Sequence, residues 1–65
     1  TNAISVYEVS AKMGSIAAMN NLGNIYSLQK QYNAAKKWYE SALALEPDNE
    51  TARKNLEKIA TELEK

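Results

Sequence analysis

The sequence predicts an all-α protein of four antiparallel helices, and three observations predict it. Apolar residues recur at helical spacing rather than alternating as in a strand. Polar turns at Gly14-Ser15, Lys30-Gln31 and Pro47-Asp48-Asn49 cut the chain into pieces of helical length. Finally, the fourth piece copies the second, and the first copies the third.

The first helix, over 2–13, ends at Gly14, which supplies the left-handed residue that closes a helix. Ser15 then caps a second helix over 16–29, where Met19, Leu22 and Tyr26 fall at i, i+3 and i+7. The third, over 33–46, is expected to start on Asn33 and carries Ala35, Tyr39, Ala42 and Leu43 on one stripe. Pro47 stops it, Asn49 caps the fourth, and 50–64 bears Ala52, Leu56, Ile59, Ala60 and Leu63 at helical spacing. Connections this short fold consecutive helices back as hairpins.

Composition removes several functions. With 65 residues the chain is one domain at most, and a core of this size leaves only about 3–5 kcal/mol of net stability. There is no Cys and no His, so disulfides, thiolate nucleophiles and the usual zinc or haem ligands are missing, and no metal or cofactor is expected. Eight basic residues balance eight acidic ones, which gives no overall pull toward nucleic acid or anionic lipid. No apolar run reaches the ~18 residues of a membrane span, and no signal-peptide order is present. The chain opens on Thr1 and reads as processed or excised.

Repetition carries most of the information. Shifted by 34, Ala18, Asn21, Leu22 and Ile25 fall on Ala52, Asn55, Leu56 and Ile59; shifted by 32, Ala3, Tyr7 and Glu8 fall on Ala35, Tyr39 and Glu40. The helices therefore run B, A, B, A. Within 16–49, Leu22-Gly23, Tyr26, Ala35, Tyr39, Ala42 and Pro47 resemble the tetratricopeptide repeat pattern W-x-x-L-G-x-x-Y…A…F/Y…A…P, with Met19 in the place of Trp. The segment Val6-Tyr7-Glu8-Val9-Ser10-Ala11-Lys12-Met13-Gly14 followed by Ala18 to Gly23 is similar to a Sel1-like repeat, without that family's longer interhelix loop. The resemblance implies a right-handed superhelix in which 1–15 is a half-repeat B helix, 16–49 one whole repeat and 50–65 a C-terminal capping helix.

Each matched residue type has a physical task. Gly23 and Ala35 are small and let helix axes approach, while Leu22, Tyr26, Tyr39 and Leu43 fill the space beside them. Lys30 stands where the family has Gly in its turn, which leaves two outcomes: a left-handed lysine at a cost of about 1 kcal/mol, or a re-formed turn. In the fourth helix Arg53, Glu57 and Ala60 replace the gripping residues Met19, Gly23 and Tyr26, as an outward-facing cap requires.

No constellation for catalysis stands out, and the protein is not expected to be an enzyme. Glu46, Asp48 and Glu50 surround a helix start, where acids complement the dipole. Asn49-Glu50-Thr51 fits a glycosylation pattern, but Asn49 reads better as a cap. Lys30, Lys36 and Lys37 lie near Tyr32, Trp38 and Tyr39, a mixture used for single-stranded nucleic acid; Tyr39 is on the packing stripe, however, and nucleic acid is not expected as a partner.

By resemblance, the A helices line a concave groove for a peptide or partner helix. Its face positions here are Ala17, Asn20, Asn21, Asn24, Ser27 and Leu28, then Thr51, Lys54, Asn55, Lys58, Thr61 and Glu62. The binding candidates are Asn20, Asn21, Asn24, Ser27, Lys54, Asn55 and Lys58, since amides pair with an extended peptide backbone and lysines with an acid. Asn24 and Asn55 stand at two places of the family's carboxylate clamp, which is otherwise incomplete. A second candidate surface is Ile4, Val6 and Val9 on the first helix, suited to self-association as a homodimer.

Overall fold

The computed structural model describes residues 3–65. These form four helices and no strand: α1 (Ala3–Lys12), α2 (Ile16–Leu28), α3 (Tyr32–Leu45) and α4 (Glu50–Leu63). The start expected at residue 2 lies outside the described residues; elsewhere the boundaries agree with the sequence to one residue. No helix among the described residues is long and apolar enough to cross a membrane.

Backbone hydrogen bonds explain the turns. After α1, Gly14 adopts φ +94°, its N–H donates to the Ala11 carbonyl at 2.9 Å, and the Ser15 N–H donates to Ser10 at 3.1 Å. That pair of bonds satisfies carbonyls orphaned at the helix end. The turn after α2 repeats it with lysine: Lys30 N–H to Ser27 at 2.9 Å, Gln31 N–H to Tyr26 at 2.8 Å, and Lys30 itself at φ +63°. The left-handed turn is thus kept rather than re-formed, and its two bonds offset the ~1 kcal/mol that a Cβ costs there.

This closure also displaces the expected cap of α3. The chain re-enters the helix at Tyr32, so Gln31 occupies the cap position without a side-chain capping bond, and Asn33 lies inside the first turn. The other two caps are as expected. Ser15 Oγ accepts the Ala18 N–H at 3.2 Å, and Asn49 Oδ1 accepts the Ala52 N–H at 2.8 Å.

α2 sits at the centre and packs against the other three helices, while α3 also packs against α4. Among the described residues α1 has no Cα within 8 Å of α3 or α4. The slab, 32 × 29 × 13 Å across its Cα atoms, has the thickness of two helix layers, which stack about 8–10 Å apart. Ala11, Ala18, Ala35, Ala42 and Ala52 make up much of the buried core, around the larger Met19, Leu22, Tyr39 and Ile59. Small residues at each crossing let backbones approach, so a core this thin still excludes water from Leu22 and Tyr39.

The three residues proposed for self-association separate. Ile4 is half-buried and packs on the core, which corrects its assignment to the free face of α1. Val6 and Val9 remain 60% exposed, and Met13, one turn on, is 82% exposed. Ile4, Tyr7 and Ala11 form the inner stripe; Val6, Val9 and Met13 form the outer one at the same spacing.

Candidate binding groove

α2 and α4 both rest on α3, and between them lies a groove of about 360 Å³ lined by Asn24, Ser27, Leu28, Tyr39, Asn55 and Lys58. Four of the seven sequence-derived binding residues, Asn24, Ser27, Asn55 and Lys58, therefore meet on its walls. Position explains this: Asn24 and Ser27 are one turn apart on α2, as Asn55 and Lys58 are on α4.

Tyr39 supplies the floor and sets the chemistry of one wall. Its ring is 1% exposed, and its hydroxyl donates to Asn24 Oδ1 at 2.5 Å. With that oxygen engaged, Asn24 offers the groove its two amide N–H donors. The Ser27 hydroxyl, the Asn55 amide and the Lys58 ammonium stand alongside, and Lys58 forms no ion pair among the described residues. Donors outnumber free acceptors on these walls, an arrangement that suits peptide carbonyls and carboxylates. Burial pushes the Tyr39 phenol above its ordinary value of 10.0, because a phenolate would lose its hydration there.

The other three candidates lie elsewhere. Asn20 Nδ2 donates to Asn49 Oδ1 at 3.4 Å, and its own Oδ1 is buried without a partner. Asn49 also donates to Glu46 Oε2 at 3.0 Å, so Asn20 helps brace the turn before α4. Asn21 and Lys54 are exposed and line no part of the groove. Leu28, 86% exposed at the rim, and Tyr39, in the floor, complete the lining; a buried tyrosine on the packing stripe gave no sequence signal for a role in the groove.

Stacked antiparallel helix pairs with a small-residue core and a donor-lined groove define a helical-repeat protein. The tetratricopeptide repeat profile matches residues 16–49, just over half of the chain. The chain belongs to the tetratricopeptide repeat family, whose members are generally protein–protein interaction modules and typically non-catalytic scaffolds. Neither a curated protein nor a solved structure matches it significantly.

Proposed function

We propose that the groove between α2 and α4 binds an extended peptide segment of a partner protein, at the C-terminal end of a tetratricopeptide array. The convergence of Asn24, Ser27, Asn55 and Lys58 above the Tyr39 hydroxyl carries this reading. Exposed Arg53, Glu57 and Ala60 on α4 support its role as a cap, since an outer face that meets water cannot carry a gripping stripe. In this arrangement α1 is the B helix of a preceding half-repeat with Sel1-like character. The groove covers few residues, so affinity in the high micromolar range or weaker is expected.

Titration with acidic and neutral extended peptides, followed by amide resonances, tests it. Shifts should centre on Asn24, Ser27, Asn55 and Lys58, and Lys58→Glu should weaken an acidic peptide by about tenfold. Shifts that avoid α4 altogether would sink the proposal.

The outer stripe of α1 favours a second reading, self-association through Val6, Val9 and Met13. Sedimentation would then show a concentration-dependent dimer that Val6→Glu or Val9→Glu returns to monomer. A monomer at every concentration rules it out.

A further inference from the structure

A second crevice, sharing no lining residue with the groove, opens between α2 and α3. It is lined by Tyr26, Gln31, Ala34, Lys37, Trp38 and Ser41 and holds about 360 Å³. α1 and α3 both rest on α2 but bring no Cα atoms within 8 Å of each other. Tyr26 lies in the gap and its hydroxyl donates to Glu8 Oε2 on α1 at 3.4 Å.

The walls combine an apolar body with free donors. Tyr26, Ala34 and Trp38 are half-buried and supply ring and methyl surface. Among the described residues Lys37, Trp38 and Ser41 make no side-chain hydrogen bond, and Lys37 no ion pair. The ammonium and the indole N–H are donors without acceptor capacity, so the complementary group is an acceptor.

Charge selects the kind of acceptor. The neutral total conceals a division along the chain: up to residue 39, Lys12, Lys30, Lys36 and Lys37 face a single acid, Glu8. Glu8 already takes the Tyr26 hydroxyl, and the first acid on α3 is Glu40. Lys37 beside an apolar slot attracts a segment that presents a bulky apolar side chain next to a carboxylate.

From these features we infer that the α2/α3 crevice is a second docking site, which takes one apolar side chain of an acidic partner peptide and pairs a neighbouring carboxylate with Lys37. This is independent of the reading of the α2/α4 groove. The two sites share no lining residue, so one partner could occupy each.

Trp38 is the single tryptophan and lines the crevice, so its fluorescence reports occupancy directly. The probe is the blocked peptide acetyl-Asp-Glu-Leu-Glu-Asp-amide. Its amidated counterpart, with Asn and Gln for the acids, and a version with Gly for Leu are the controls. The acidic Leu peptide should shift the Trp38 emission saturably, and both controls, like Lys37→Glu protein, should bind about tenfold more weakly or worse. Lys37 is exposed, so its replacement leaves the fold intact, which circular dichroism checks. Lys58→Glu should leave the Trp38 response unchanged while altering peptide shifts in the groove.

Four outcomes would overturn the inference: no saturable emission change, equal binding of the neutral peptide, a response abolished by Lys58→Glu but not Lys37→Glu, or tighter binding of oligothymidylate than of the peptide. A concentration-dependent emission change without peptide would assign the crevice to a second copy of this chain and equally reject a foreign segment.

Discussion

Gly23→Ala should lower the thermal midpoint by about 10 °C, although alanine is the better helix former by about 1 kcal/mol. Gly23 is buried on α2 directly beneath the Tyr39 ring. A Cβ there would lie 2.5 Å from Cζ and 2.8 Å from Cδ1 of Tyr39, with Cε1 nearer still. Carbon atoms prefer roughly 3.5–4.0 Å, so the ring must move. It has little freedom to do so, being 1% exposed and held by its bond to Asn24. Overpacking of this kind costs about 1–3 kcal/mol, and a clash with a rigid ring belongs at or beyond the upper end. The net loss of about 2 kcal/mol is a large share of what so small a core provides.

A double-mutant cycle separates the clash from any general intolerance of the site. Tyr39→Leu alone is destabilising because it empties core volume, but in its presence Gly23→Ala should cost little or become favourable. A coupling of at least ~1 kcal/mol would locate the effect in this contact. A raised midpoint for Gly23→Ala in the parent chain would mean that the ring yields easily and that glycine is not required for the close approach.

The same contact shows what was legible in the sequence and what was not. Repetition and turn chemistry were sufficient for four helices and for the caps at Ser15 and Asn49, because these depend on neighbours along the chain. Helix rotation is different. α1 and the turn that closes it carry two apolar stripes of equal spacing, Ile4-Tyr7-Ala11 and Val6-Val9-Met13, and nothing local decides which one turns inward. Spacing alone groups Ile4 with Val6 and Val9, whereas packing sets it beside Tyr7 and Ala11 and adds Met13 to the outer stripe. α3 starts one residue before the Asn33 that the sequence suggests, for a related reason: the hydrogen bonds of the Lys30 turn run backward to Tyr26 and Ser27 and deliver the chain to Gln31 already curling. Asparagine spacing identified a polar face on α2, but Asn20 spends its amide on Asn49 and Asn24 takes the Tyr39 hydroxyl, pairings across 29 and 15 residues of sequence.

Burial also makes Tyr39 a pH-sensitive element. Its phenol is raised above 10.0 in the folded chain by burial, whereas in the unfolded chain it ionises near the ordinary value of about 10. The folded state therefore holds its proton to higher pH than the unfolded state does. The contribution is fully present below about pH 10 and is lost as pH rises through the folded value. Alkaline titration should consequently unfold the parent chain, and Tyr39→Phe should behave in the opposite way on the two sides of that range. At neutral pH the variant loses the bond to Asn24 and about 1 kcal/mol of stability. Above pH ~10 it has no phenol at this site to ionise, so its stability falls less steeply, and the two curves of stability against pH converge or cross. Every other ionisable side chain is common to the two chains. Denaturant unfolding at neutral pH and again above pH ~10 measures the difference. Parallel curves would mean that the phenolate is accommodated in the folded state, by opening of the groove floor toward solvent, and Tyr39 would then hold Asn24 less firmly than the packing implies.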